Sequence, residues 1–338
     1  MNRLNIAIVG AGRIGTRHAK HIHQLANLRA VCDIKLDRAV ALTKEYGGTA
    51  YGSLDGLLAE ESDLDLIAVC TPNGLHAEHT IMSLHAGVNV LCEKPMAIRV
   101  TDCERMIHAA ETHNKRLFIV KQNRFNPPVQ AVKKLIDTGK LGKIFEIQVN
   151  CFWNRNSEYY TDSDWKGTSS LDGGTLFTQF SHFIDLMYWF MGDIAQVTAM
   201  IKNFTHQDLI EFEDSGVACF TFSSEAIGTL HYTVNCYEKN MEGSITLFGE
   251  HGAVKIGGQY LNTLEYQRIK DCVIDELEPS GPPNEYGSYQ GSMSNHDKVY
   301  ENVIDVLTNQ GSIYTNMLDG LKTVQIIEKI YLAAGRKL

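Results

Sequence analysis

Residues 5–9 read Asn-Ile-Ala-Ile-Val, an apolar strand-like run that passes directly into Gly10-Ala11-Gly12-Arg13-Ile14-Gly15 and then into helical spacing from His18 to Leu25. Strand, G-x-G-x-x-G and helix in that order constrain the fold more than any other feature, because each glycine answers a separate steric demand. Gly10 permits a tight turn, Gly12 lets the backbone approach a pyrophosphate, and Gly15 lets the helix lie close against the strand. Arg13 and Ile14 sit within the same turn. The helix that follows presents unpaired N–H groups and the positive end of its dipole, an anion-binding arrangement. Such an opening is expected to belong to a dinucleotide-binding domain.

Further along, short apolar runs alternate with amphipathic stretches. The runs are Leu28 to Cys32, Leu66 to Cys70, Asn89 to Cys92 and Leu117 to Val120; the stretches are Ala39 to Tyr46, Ala77 to His85 and Asp102 to Thr112. That alternation predicts β-α-β units on a parallel sheet. After Pro127 and Pro128 comes a helix over Val129 to Thr138, and from Lys143 to Phe152 a period of two takes over. Strands are expected at Ile194 to Lys202, Ser215 to Phe222, Ile227 to Val234, Ser244 to Phe248 and Ala253 to Ile256, with one covering helix around Phe177 to Met191. Pro279 to Asn295 reads as a long ordered loop, followed by helices over His296 to Thr308 and Leu318 to Ala334. The fold class is α/β: a Rossmann domain over 1–121, then an α/β domain over 122–338 with an open, mostly antiparallel sheet.

Strand ends carry the cofactor's chemistry in such a domain. Asp33 lies close to the distance, roughly 20 residues past the last glycine, at which an acid accepts hydrogen bonds from a ribose 2′-hydroxyl. A 2′-phosphate would meet that carboxylate, which favours NAD(H) over NADP(H), with Lys35 and Arg38 nearby as the opposing signal. The next candidates are Thr71, Pro72, Asn73 and His76 after the fourth strand; the alternative is a simple helix-entry turn. Glu93, Lys94 and Pro95 end the fifth strand at the open edge where ligands bind, although a strand-end Lys is equally consistent with a solvated one.

Composition excludes other classes. The 338 residues carry a formal charge of −9 with no Lys/Arg run, which argues against nucleic-acid binding. The most apolar run, Phe183 to Met191, is nine residues long and contains Asp185, well short of the ~20 apolar residues of a spanning helix. No signal-peptide-like stretch precedes the first strand, so a cytoplasmic location is expected. The eight cysteines show no C-x-x-C and read as reduced thiols. His18, His21 and His23 do not converge on one helix face and have no carboxylate in register, so they read as surface or packing histidines, and no metal site is expected.

G-A-G-R-I-G, then T-P-N-x-L-H, then E-K-P, then the H-x-x-D of His182 to Asp185 resembles the glucose-fructose oxidoreductase / inositol dehydrogenase / rhizopine catabolism (Gfo/Idh/MocA) family over essentially the whole chain. The resemblance implies NAD(P)-dependent oxidation or reduction of a sugar or cyclitol hydroxyl, with Lys94 and His182 at the reacting carbon. Many members have an Asp four residues before that His. Here the position is Thr178, which cannot act as a base at neutral pH, so proton transfer leans on His182.

A narrower resemblance rests on Trp153-Asn154-Arg155-Asn156, Tyr159-Tyr160, Asp164 to Thr168, Leu171 to Gly174, Thr178-Gln179, Tyr286 to Ser292 and Ser294-Asn295-His296. These look like the UDP-N-acetyl-2-amino-2-deoxy-glucuronate 3-dehydrogenases of surface-polysaccharide biosynthesis. That implies oxidation at C3 of UDP-N-acetyl-glucosaminuronic acid to the 3-keto sugar, with 2-oxoglutarate recycling the cofactor in some members. Expected substrate contacts are Asn123, Arg124, Arg155, Tyr159, Tyr160, Trp165, Thr178, Gln179, Asp185 and His296. Arg155 suits an anionic group, and the aromatics suit a uracil or sugar face, although each aromatic singly is equally a core plug. Family resemblance also implies a homodimer or homotetramer. The alternatives are a dehydrogenase of a simple sugar or inositol, and a non-catalytic NAD-sensing regulator.

Overall fold

The computed structural model describes residues 3–281, 283–285, 290–309 and 311–337. Two compact units emerge, Met1–Val120 with His296–Val324, and Lys121–Asn295 with Gln325–Leu338.

In the first unit, β1 (Asn5–Val9), α1 (Arg13–Leu25), β2 (Asn27–Cys32), α2 (Leu36–Tyr46), β3 (Thr49–Tyr51), α3 (Leu54–Glu60), β4 (Leu66–Val69), α4 (His76–His85), β5 (Asn89–Cys92), α5 (Val100–Thr112) and β6 (Leu117–Ile119) alternate as expected. The six strands are parallel in the order β3-β2-β1-β4-β5-β6. Leu66, Ile67, Ala68 and Val69 are all buried, as a central parallel strand covered on both faces must be. The order reverses between β1 and β4, and the glycine turn leaves the carboxyl end of β1 at that point.

The second unit holds α6 (Pro127–Asp137), β7 (Ile144–Phe152), α7 (Ser157–Thr161), α8 (Thr175–Thr178), α9 (Ser181–Met191), β8 (Ile194–Lys202), β9 (Ser215–Phe222), β10 (Ile227–Thr233), β11 (Glu242–Gly249), β12 (Gly252–Gly257), β13 (Thr263–Ile269), β14 (Pro283–Glu285) and β15 (Gln290–Met293). Seven strands form a mixed sheet in the order β13-β12-β11-β7-β10-β9-β8, antiparallel except for β7 with β10. Alternation along β7 buries Ile147, Val149 and Cys151 on the face that meets α9. The covering helix is broken into α8 and α9. Part of the expected long loop is the hairpin β14–β15; Tyr286 to Tyr289 of the sequence motif lie outside the described residues.

One domain boundary differs from the sequence expectation. After α10 (His296–Asn309), the helix α11 (Met317–Ala333) contains the division, so 296–324 belong with the dinucleotide unit instead of with 122–338. The physical reason is α10 packing on α1, where the Tyr300 hydroxyl lies 2.7 Å from His18 Nδ1. Thr315 adds its carbonyl, which accepts from the Ile119 N–H at 3.0 Å.

Candidate functional site

In the first unit, Gly10 has φ +101°, and a Cβ there would lie 2.7 Å from the Cys70 carbonyl. A Cβ on Gly15 would lie 2.0 Å from Gly10 O. At Gly12 a Cβ would meet nothing within 4 Å, so the backbone is bare on that side and no side chain caps the α1 N-terminus. Arg13 is exposed in the first turn and Ile14 half-buried. Asp33 Oδ2 accepts from the Ala11 N–H at 2.7 Å and Oδ1 from the Lys35 N–H at 2.8 Å. Each oxygen keeps acceptor capacity beyond that bond, so Asp33 both ties down the glycine turn and suits a ribose diol. An uncovered glycine, a helix N-terminus that no side chain caps and a strand-end carboxylate fit an NAD.

Behind this turn lie two of the expected site residues, each engaged by the protein's own groups. His76, expected at the cofactor, is buried with Nδ1 2.7 Å from Pro95 O and Nε2 2.9 Å from Thr71 O, so it spans the loops after β4 and β5. Asn73 is also buried, and Pro72 before it is half-buried. His296, expected at the substrate, belongs to the first unit, where its Nε2 lies 3.3 Å from Glu93 Oε1. His18, read as surface or packing, is buried against the same carboxylate, Nε2 to Oε1 at 2.8 Å. The helix-face argument missed Glu93 because it lies 75 residues away in the chain. Glu93 Oε2 accepts the Lys94 N–H at 3.0 Å, and Lys94 itself is half-buried.

In the second unit, His182 is buried on α9 with Nε2 3.2 Å from Gln122 Nε2. The Gln122 amide can donate from its nitrogen or accept at its oxygen, so this neighbour suits either tautomer of the ring, including the one with the Nε2 lone pair that a base needs. One turn along the helix, Asp185 binds Arg124 Nε at 2.8 Å and Nη2 at 2.7 Å, and Lys121 Nζ at 2.8 Å. Burial works to raise the Asp185 pKa, but the two cations outweigh it and bring it to about 2. Arg124 also stacks over Trp189. Arg124 and Asp185, expected at the substrate, are therefore partners that fasten α9 to the 3₁₀ turn Gln122–Phe125. Asn123 lies in that turn, 2% exposed, and neither amide atom has a hydrogen-bond partner. Ser181 Oγ, which no sequence motif singled out, is orphaned in the same way at the start of α9. Buried polar atoms without a protein partner are rare, and it is water or a ligand that satisfies them.

The aromatic segment packs inward. Tyr159 and Tyr160 are buried with Ile210 and Phe212 in a small core, which favours the plug reading for both. Arg155 is also buried, its Nε donating to Gln179 Oε1 at 2.7 Å and its Nη1 to Asn154 O at 2.6 Å, with Trp153 and Tyr159 on its flanks. Gln179 donates in turn to the Tyr159 hydroxyl at 2.7 Å. Arg155 and Gln179, expected to meet the ligand, thus engage the protein's own groups. Trp165 is half-buried, and the Thr178 hydroxyl donates to the Asp172 carboxylate. Among the described residues, His18, Glu93 and His296 are the group whose ligand-type atoms lie within 4.8 Å of one another, a spacing that a metal would also accept.

A family model for the oxidoreductase family with an NAD-binding Rossmann fold matches residues 4–121, and one for the GFO/IDH/MocA C-terminal domain matches residues 129–255. The chain belongs to this family of NAD-dependent dehydrogenases. The WlbA dehydrogenase from Bordetella pertussis, solved in complex with NADH and UDP-GlcNAcA, is 34% identical with a TM-score of 0.90, over 99% of this chain and 97% of that one. The glucose-6-phosphate 3-dehydrogenase of Bacillus subtilis is 27% identical over 96% of this chain and 95% of its own. The D-glucoside 3-dehydrogenase of Escherichia coli is 27% identical over 68% of this chain and 67% of its own. No helix among the described residues is long and apolar enough to cross a membrane.

Proposed function

We propose that this protein oxidises the C3 hydroxyl of UDP-N-acetyl-glucosaminuronic acid to the 3-keto sugar, a step of surface-polysaccharide biosynthesis in the cytoplasm. The observation that carries the reading is the likeness to the WlbA dehydrogenase, which spans nearly the whole of both chains and whose structure holds that nucleotide sugar. Gly12, Asp33 and the N-terminus of α1 hold the dinucleotide's phosphates and ribose. Bound NAD supplies the hydride acceptor. His182 receives the hydroxyl proton at Nε2, a substrate oxygen taking the place of Gln122 at that lone pair. The Lys94 ammonium steadies the developing alkoxide. Asn123 reads a substrate hydroxyl or amide, satisfying an otherwise orphaned side chain. Thr178 contributes no base, its single proton being committed to Asp172.

The seven-stranded sheet exposes Met200, Ile227, Phe248 and Tyr266 on the face opposite α9, which supports a homo-oligomer paired through that face. A thermal-shift series tests the substrate class. UDP-N-acetyl-glucosaminuronic acid with NADH is expected to raise Tm beyond NADH alone, while myo-inositol and glucose do not. Stabilisation by the simple polyols and none by the nucleotide sugar transfers the assignment to a simple-sugar or inositol dehydrogenase.

A further inference from the structure

Among the buried groups of titratable side chains that the proposed roles leave unused, one is built around Glu93. Glu93 Oε1 takes His18 Nε2 at 2.8 Å and His296 Nε2 at 3.3 Å, His18 Nδ1 meets the Tyr300 hydroxyl at 2.7 Å, and the His21 ring stacks on His296. Burial pushes the Tyr300 phenol well above its ordinary value, so it stays protonated beside His18 Nδ1. An ionised carboxylate only accepts, so His18 presents an N–H to Glu93 from Nε2. The carboxylate, drawn well below its usual range by the two histidines despite its burial, is an anion. Its second oxygen accepts the Lys94 N–H. Donors and acceptors thus match along a chain from α10 through α1 to the Lys94 backbone, and the 2.8 Å contact is an ordinary hydrogen-bond length.

On the other side of Lys94, His76 faces Pro95 O at 2.7 Å and Thr71 O at 2.9 Å. Both are acceptors, and burial lowers the His76 pKa, so the neutral ring donates to one of them, the Pro95 carbonyl being the closer.

We propose that Lys94 is gripped between two buried histidine contacts: Glu93, braced by His18 and His296, holds its N–H, and His76 holds the carbonyl of the next residue. His18, Glu93 and His76 are then positioning residues that set where the Lys94 ammonium emerges, a proposal that rests on the catalytic role given to Lys94 above. Displacing a catalytic group by about 1 Å is enough to cost roughly 10²-fold in rate.

The test is a double-mutant cycle read alongside hydrogen exchange. His18→Leu is expected to lower turnover of UDP-N-acetyl-glucosaminuronic acid roughly 10²-fold, with NADH affinity within a few fold of wild type. Because His18 acts through Lys94, the double variant His18→Leu/Lys94→Met should be no slower than Lys94→Met alone. Exchange of the Lys94 amide should accelerate at least tenfold in His18→Leu. Losses that multiply in the double variant, or an unchanged Lys94 exchange rate, overturn the clamp. If Lys94→Met turns over like wild type, or wild type makes no NADH from this substrate, the catalytic reading fails while the exchange measurement still decides whether Lys94 is held. Should His18→Leu not fold, Tyr300→Phe deletes one oxygen from the same chain, and wild-type exchange and turnover in it overturn the proposal. Stoichiometric divalent metal in the purified protein, with activity lost to a chelator, would make His18, Glu93 and His296 ligands and would also overturn it.

Discussion

Replacing Asp185 by Asn removes one charge and leaves the shape of the side chain almost intact. In the native protein this carboxylate meets Arg124 at 2.7 and 2.8 Å and Lys121 at 2.8 Å, all three side chains being buried. The Asp185 pKa of about 2, set below the ordinary value because the two cations outweigh burial, corresponds to about 2–3 kcal/mol of stability at neutral pH. Breaking a buried pair by removing one partner costs roughly 3–5 kcal/mol, because the cations left behind are uncompensated. The larger figure is the one to expect, since protonation alone leaves a neutral acid that still hydrogen-bonds, whereas Asn also turns two donor hydrogens toward Lys121 and Arg124. A depressed carboxylate pKa means that its stabilisation is complete above the unfolded value near 3.9 and is lost as pH falls toward about 2. Urea unfolding of wild type and Asp185→Asn should therefore differ by about 3–5 kcal/mol at pH 7, with the gap closing as pH falls through 4 toward 2. A loss under about 1 kcal/mol, the worth of an exposed ion pair, would refute the buried triad. So would a gap that does not narrow with acid.

Three further outcomes are expected. Asp33→Ala deletes the acceptor for a ribose hydroxyl and for the Ala11 and Lys35 N–H groups, so isothermal titration should show NAD binding weakened about 10- to 100-fold and the preference over NADP abolished. Lys94→Met and His182→Ala should each lower single-turnover NADH formation by roughly 10²-fold or more with NADH binding retained. Asn123→Leu should keep or raise Tm, since it removes a buried amide without partners, while raising substrate KM at least tenfold in steady-state kinetics; a fall in Tm with KM unchanged would make Asn123 structural.

Local rules made the first unit legible. A glycine turn between a strand and a helix is written within six residues, and β1, β2, β4, β5 and β6 appear within one or two residues of their expected bounds because each is a short apolar run. β3 and β13 were not singled out: β3 has three residues, and β13 is half-exposed with little apolar contrast. The relation of His18 to Glu93, of Arg124 to Asp185 and of α10 to α1 depends on partners 61 to 282 residues apart, which no periodicity encodes. For the same reason the sequence does not show that Arg155 also bonds Gln179, Asn240 and a neighbouring carbonyl. What the residue types did reveal was that such groups needed partners.

The most direct measurement mixes purified protein with NAD and UDP-N-acetyl-glucosaminuronic acid in a single turnover, follows NADH absorbance, and locates the new carbonyl in the sugar by NMR. NADH formed in proportion to enzyme, with the ketone at C3, is the result expected. NADH formed from myo-inositol or free glucose but none from the nucleotide sugar, or a ketone at another carbon, would contradict it.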